Sequence, residues 1–207
     1  RYLHPQSFGV VDPLFGLDVG FYVFRLPVYS FVQNWMCAAV VITAGIVAVS
    51  YNQDRSLRND GDGWFSTPHV RAHFSVLAAL LAVLLAWGYW LKEYDLLYSF
   101  RKDGFVGAAY SDVTVQLPVY RVMLVLSLAL AGLMLYNLRE KGWRILTRGA
   151  VGYLAVRVIL SWGFPLLFEQ IVVKPNELAL ETPYIRHAIQ FTRRAFGLDR
   201  IREVPFP

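Results

Sequence analysis

Charged side chains are scarce in this sequence of 207 residues. Asp, Glu, Lys and Arg make up 17% of it, whereas soluble domains average about 25%. Apolar residues make up 56%, against about 45–50% in soluble domains, and a domain of this size has too little interior to bury them all. The scarcity of charge therefore argues against a soluble domain, and the apolar excess is expected to face lipid.

Cysteine is almost absent as well. Cys37 is the single cysteine, which excludes a disulfide within the chain, and its apolar surroundings favour a small core residue.

The net charge of +5 is spread between apolar runs and not gathered on one face, which argues against a nucleic-acid partner. An initiator Met and a secretory signal pattern are also missing at Arg1, so we expect an excerpt of a longer protein.

Four long apolar runs dominate what is present. A helix needs about 20 apolar residues to cross about 30 Å of hydrocarbon, because each residue adds about 1.5 Å. A helical backbone is required there, since unpaired N–H and C=O groups are costly in lipid. Arg121 lies near the start of the third run and is expected to snorkel. The sequence predicts an all-α transmembrane helical bundle with about four spanning helices, at residues 28–51, 72–91, 117–138 and 150–173.

Basic residues in the loops predict the orientation, because short basic loops are retained in the cytoplasm. The loop between the third and fourth runs is the most basic one. It contains Arg139, Lys141, Arg144 and Arg148 against Glu140. We expect it to be cytoplasmic, with the amino-terminal end, the loop between the second and third runs and the carboxyl-terminal tail outside. Lys92, Arg101 and Lys102 argue mildly for the reverse.

The segment before the first run, residues 1–27, combines turn residues with dense aromatics. Aromatic rings and glycine turns suit the headgroup region of a membrane, so this lead-in is expected to lie along the interface. Asp12 and Asp18 are interpreted as turn or cap residues, because the spacing of oxygen ligands typical of a calcium loop is missing.

The tail, residues 174–207, is interpreted as extracytoplasmic and as the start of a larger missing domain. It is predicted to hold an amphipathic basic helix over 183–196, which Pro183 opens. Ile185 and Ile189 belong to the apolar face of this helix, and His187 belongs to the polar face. That apolar face suits either the membrane surface or the next domain.

Several long motifs, taken in order, resemble one bacterial family of membrane proteins. They are "DPLFGLDVGFYVFRLP", "RAHFSVL" with "AWGYWL", "GAAYSDVTVQLP", and "VKPNELALETPYIRHAI" with "TRRAFGLD". The chain is similar over most of its length to uncharacterised protein family 0182. The resemblance implies a much longer parent, with further spanning helices upstream and a large extracytoplasmic region downstream of about Lys174. It implies no catalytic residues.

The sequence contains few residue patterns that are typical of enzymes. His69 and His73 share a helix face, as metal ligands would, but a third ligand is missing nearby. Ser161 has no histidine near it in sequence, as a nucleophile would require. A phosphate-binding glycine loop followed by Lys and Ser or Thr is also missing. We therefore predict no catalytic, cofactor-binding or metal residues, no cofactor, and no enzymatic activity.

The fourth run holds the most informative residues, which form a predicted intramembrane polar site: Arg157, Ser161, Pro165 and Glu169. Ionisable groups inside a bilayer normally face a bundle interior, water or a partner. Pro165 lacks an N–H and leaves the carbonyl of Ser161 without its helical donor. We expect Arg157 to turn toward neighbouring helices. The alternative is that Arg157 snorkels, Glu169 lies at the interface and Pro165 only shapes packing.

Three function classes follow. The favoured one is a membrane module that anchors or assembles an extracytoplasmic domain; part of a transporter or channel comes second, and a membrane enzyme acting on lipid or envelope substrates third. A polar cavity that reaches the midplane around Arg157 would favour transport. A metal bound between His69 and His73 would favour an enzyme, and a bundle without polar cavities would favour a scaffold. The expected location is the bacterial cell (plasma) membrane, crossed several times. Expected partners are the lipid bilayer and the missing upstream helices and downstream domain of the parent chain, and a homo-oligomer stays open.

Overall fold

The computed structural model describes residues 7–54, 56–59, 64–98, 107–139 and 143–198. Its fold is all-α, as predicted, with four helical stretches long enough and apolar enough to cross a membrane. The helices are α1 (Leu26–Gln53), α2 (Pro68–Asp95), α3 (Leu117–Tyr136), α4 (Arg144–Val158), α5 (Phe164–Phe168) and α6 (Glu177–Ala195). A small antiparallel hairpin of β1 (Leu57–Asn59) and β2 (Trp64–Ser66) lies between α1 and α2.

Prolines explain the π-helical turns in these helices. Four π-helical turns, Phe21–Arg25, Asp112–Gln116, Ile159–Gly163 and Glu169–Val173, each end two residues before a proline. Proline has no N–H to donate to the carbonyl four residues back, and its ring crowds that carbonyl. The residue before the proline donates five residues back instead, as Phe164 N–H does to the Ile159 carbonyl. Each helix thereby passes its proline without a break.

The helices extend beyond the predicted apolar runs, except that α3 ends at Tyr136, two residues before the predicted end of the third run. The fourth stretch differs most, because its helical path continues from Arg144 to Ala195 over 52 residues. It includes α4, α5, two π-helical turns, the 3₁₀ turn Lys174–Asn176 and α6. The predicted end at residue 173 is followed directly by this 3₁₀ turn, and Asn176, whose backbone is not helical (φ −126°, ψ 27°), precedes α6.

Packing follows chain order, with α2 at the centre. Helix α2 packs against both α3 and α1, and α4 packs against α3. One core cluster joins Tyr89 of α2 to Met123 of α3 and Tyr153 of α4. Much of helix α1 is exposed, and Phe31 and Trp35 on it are 68% and 67% exposed. Such large exposed apolar side chains suit a surface covered by lipid.

The lead-in is held by the two carboxylates that the sequence assigns to turns. Asp12 is buried and accepts hydrogen bonds from the backbone N–H groups of Leu14, Phe15 and Leu17, and from the Tyr22 hydroxyl at 2.7 Å. Asp18 accepts from the Ser7 hydroxyl at 2.6 Å and from backbone N–H groups. The Ser7 hydrogen bond is the main reason why the pKa of Asp18 lies below its usual value.

The carboxyl-terminal helix is present but begins earlier than predicted. Pro183 lies inside α6 and does not open it, since the helix already runs from Glu177. The Thr182 hydroxyl donates to the Leu178 carbonyl and does not cap a new helix. His187 was placed on the polar face, yet it lines an apolar cavity of about 330 Å³ beside Tyr184 and Phe191. The helix face turned toward the bundle therefore differs from the one that hydrophobic spacing alone selects.

Candidate intramembrane polar site

Arg157 lies on α4 and is half-buried against the neighbouring helices. It lines a cavity of about 410 Å³, here called the Arg157 cavity. The lining residues are Tyr89, Lys92, Gln116, Tyr120, Leu154, Arg157, Val158, Ser161 and Trp162. Arg157 also lines a second cavity of about 250 Å³, which lies toward α1 and is here called the Gln33 cavity. The side chain thus meets open space between helices on two sides.

A chain of hydroxyl groups crosses the bundle beside Arg157. The Ser127 and Tyr153 hydroxyls lie 2.7 Å apart, and both residues are buried. The Tyr89 hydroxyl lies close enough to Tyr153, Ser161 and Arg157 to interact with them electrostatically. These residues come from α2, α3, α4 and the π-helical turn after α4. The network satisfies polar groups that would be costly to leave unpaired in an apolar bundle.

Two further cationic side chains lie at this level of the bundle. The Lys92 ammonium lies 5.4 Å from the centre of the Tyr89 ring, a cation–π contact. Arg121 was expected to snorkel, and its Nε instead lies 3.4 Å from Glu93 Oε2. Within the described part of the chain, Arg157 forms no such ion pair with a carboxylate.

The Gln33 cavity depends on one buried amide. Gln33 on α1 donates from Nε2 to the Leu84 carbonyl at 3.0 Å, and its side chain lies against Gly88 of α2. A Cβ atom at position 88 would lie 2.8 Å from Gln33 Nε2, so the present position of the Gln33 amide depends on glycine here.

The four predicted site residues do not form one site. Arg157 and Ser161 line the same cavity, one turn apart on one helix face. Pro165 and Glu169 line neither the Arg157 cavity nor the Gln33 cavity. Pro165 instead follows the π-helical turn Ile159–Gly163, and Glu169 begins the next one. Whether Arg157 and Ser161 act as a functional site stays a prediction.

Sequence reasoning missed the partners that other helices supply. Tyr89 and Lys92 come from α2, whereas Gln116 and Tyr120 come from the start of the third helical stretch. A usable signal was the spacing of Tyr89 and Lys92, which lie three residues apart at the aromatic end of α2 and so share a face. Gln116 and Tyr120 share a face in the same way.

Both cavities lie in the half of the bundle nearer Asp95. Helix α2 has 28 residues and is about 42 Å long, so Tyr89 lies about 11 Å and Lys92 about 16 Å from its midpoint. The predicted His pair lies near the opposite end of α2, where His69 is exposed and His73 Nδ1 lies 3.2 Å from the Tyr51 hydroxyl.

The sequence model of Uncharacterised protein family (UPF0182) matches residues 1–207, which is the whole chain. The chain belongs to this family. The resemblance drawn from its motifs is confirmed.

Similar UPF0182 proteins occur in distantly related bacteria. The chain is 39% identical over 210 residues to the UPF0182 protein of Moorella thermoacetica, covering all of this chain and 23% of that protein. It is 39% identical to one from Cupriavidus necator and 38% identical to one from Sulfurovum, again over the whole chain and over 23% and 22% of those proteins. The chain thus spans less than a quarter of the length of these relatives. No solved structure matches it.

Proposed function

We propose that this segment of a UPF0182 protein is a membrane anchor whose fourth helical stretch continues out of the bilayer as a rigid stalk, on which an extracytoplasmic part of the protein is assembled. The proposed bilayer is the bacterial plasma membrane. The lipid and the rest of the parent chain are the partners.

One observation supports this proposal above the others. The helical path from Arg144 to Ala195 has 52 residues, whereas about 20 helical residues are enough to cross a hydrocarbon core of about 30 Å. A helix of this length must project from the membrane at one end at least. The α6 end suits projection, because it carries the charged residues Glu177, Arg186, Arg193 and Arg194.

Contacts at the base of the stalk support rigidity. The backbone N–H of Tyr110 donates to Glu181 Oε2 at 2.9 Å, and the Tyr110 and Tyr184 rings meet edge to face at 6.1 Å. Val173 and Glu181 are both buried. The stalk therefore packs against the segment that precedes α3, and a displacement of the bundle would also displace α6.

A transport role has the polar cavities around Arg157 in its favour. Those cavities, however, lie toward the Asp95 end and not at the middle of α2. Buried apolar residues such as Ala82 and Met123 pack the bundle nearer its middle. This distribution favours the anchor over a path through the membrane.

The stalk can be tested by pulsed electron paramagnetic resonance on the full-length protein in lipid nanodiscs. In a Cys37→Ser background, spin labels at Leu167→Cys and Gln190→Cys, both exposed positions, should give one narrow distance distribution. A variant with four Gly/Ser residues inserted after Asn176 serves as the flexible comparison and should give a broad, shorter distribution. A native distribution as broad as that of the insertion variant would refute a rigid stalk.

A further inference from the structure

We propose that the Arg157 cavity binds the phosphate headgroup of an anionic phospholipid, whose acyl chains lie along the neighbouring face of the fourth helical stretch. This binding site is separate from the stalk and does not depend on it.

Charge is the first argument. Among the described residues that line the Arg157 cavity, two are cations and none carries a carboxylate. Lys92 already interacts with Asp95 and with the Tyr89 ring, but Arg157 has no carboxylate partner in the described part of the chain. A half-buried guanidinium in an apolar bundle is stabilised by a counter-charge. A phosphate oxygen would supply it, because guanidinium and phosphate match in a bidentate geometry.

Neutral hydrogen-bonding groups surround the same space. Gln116, which is buried at 7% exposure, lines the cavity, and so do the hydroxyl-bearing residues Tyr120 and Ser161. Amide and hydroxyl donors complement the several acceptor oxygens of a phosphodiester and its glycerol. The volume of about 410 Å³ lies within the range of about 300–1,000 Å³ typical of small-ligand sites.

The mouth of the cavity is apolar and faces outward from the bundle. Leu154, Val158 and Trp162 line it and are 53%, 62% and 80% exposed. They follow one another at four-residue spacing and so form a stripe on one helix face. In a membrane this stripe lies against acyl chains, so the ligand that fits combines an anionic head with apolar tails. A free anion has no apolar part that could contact this stripe.

Depth points to the same ligand. If α2 is centred in the bilayer, Lys92 lies at about 16 Å from the midplane and Tyr89 at about 11 Å. The hydrocarbon half-thickness is about 15 Å, so Lys92 lies at the boundary where phosphates of one leaflet are found, and Tyr89, which lines the cavity together with Arg157, lies just inside it. Under the predicted orientation this is the extracytoplasmic leaflet.

The test measures lipid binding to the detergent-purified full-length protein by thermal shift. The ligands are phosphatidylglycerol, phosphatidylcholine with the same acyl chains, and glycerol 3-phosphate as the free anion. Wild type should prefer phosphatidylglycerol. Arg157→Gln should weaken that binding about tenfold, which corresponds to about 1.4 kcal/mol, and Arg157→Lys should retain most of it. Arg148→Gln, on the exposed surface of the same helix, is the matched control and should change nothing.

Three results would overturn the proposal. The first is that Arg157→Gln and Arg148→Gln weaken phosphatidylglycerol binding equally, or that neither weakens it. The second is equal binding of phosphatidylcholine, which would mean an apolar groove without headgroup recognition. The third is binding of glycerol 3-phosphate as tight as that of the lipid, which would mean a site for a soluble anion. If Arg157→Gln does not fold, Ser161→Leu decides, because it fills the cavity without removing a cation and must also weaken phosphatidylglycerol binding.

Discussion

At the scale of single residues, several polar side chains inside this bundle are paired across helices. Gln33 bonds to the Leu84 carbonyl, and Asn137 Nδ2 donates to the Ser75 hydroxyl at 2.8 Å near the opposite end. Arg157 could be predicted from sequence because a charge that interrupts an apolar run is conspicuous. Its neighbours Tyr89 and Gln116 could not, because a helix that is apolar all round does not reveal which face meets its partners.

Gly88→Ala tests the close contact between α1 and α2. The added Cβ would lie 2.8 Å from Gln33 Nε2 and would push the amide off the Leu84 carbonyl, leaving buried polar groups unsatisfied. The free energy of unfolding should fall by about 1–3 kcal/mol, measured as a lower melting temperature of the full-length protein in detergent.

Gly152→Ala is the control for that substitution, because a Cβ there meets no atom within 4 Å. It should be neutral or stabilising by up to about 1 kcal/mol, as expected for replacing a helical glycine. Removing the amide with Gln33→Ala in the Gly88→Ala protein should relieve the clash, so the two effects should not add. Equal melting temperatures for Gly88→Ala and Gly152→Ala would contradict the contact.

At the scale of elements, the sequence predicts the helices well but not their internal geometry. Hydropathy locates the spanning runs because lipid requires about 20 apolar residues. It contains no signal for π-helical turns, although each of the four precedes a proline by two residues. Pro183 was interpreted as a first-turn residue, but in the structure it lies inside α6.

Helix α6 offers a comparison of two neighbouring positions. Ala188 is half-buried and lines the apolar cavity below the stalk, whereas Gln190 is exposed. Ala188→Asp would place a carboxylate in an apolar cavity, which should destabilise the docked stalk by about 1–3 kcal/mol. Limited proteolysis of the full-length protein should then cleave near α6 faster, and Gln190→Asp should be cleaved like wild type. Similar cleavage of both variants would mean that α6 is not docked through this face.

At the scale of the whole molecule, an all-α bundle with four membrane-length helices follows from composition and run length alone. The packing order, with α2 at the centre, does not, since it depends on side-chain fit between helices. The continuous fourth helix was also missed. The fourth run was predicted to end at residue 173 and Pro183 to open a separate helix, whereas π-helical and 3₁₀ turns connect the two helical parts.

Thiol labelling in intact cells tests most directly the central claim that the fourth helical stretch crosses the membrane and continues outside it. In a Cys37→Ser background of the full-length protein, single cysteines replace Asn176 at the base of the stalk and Lys141, which lies outside the described residues. A membrane-impermeant thiol reagent should label the cysteine at 176 and label the one at 141 only after the membrane is opened. The reverse pattern would invert the orientation, and labelling of both in intact cells would contradict a membrane crossing between them.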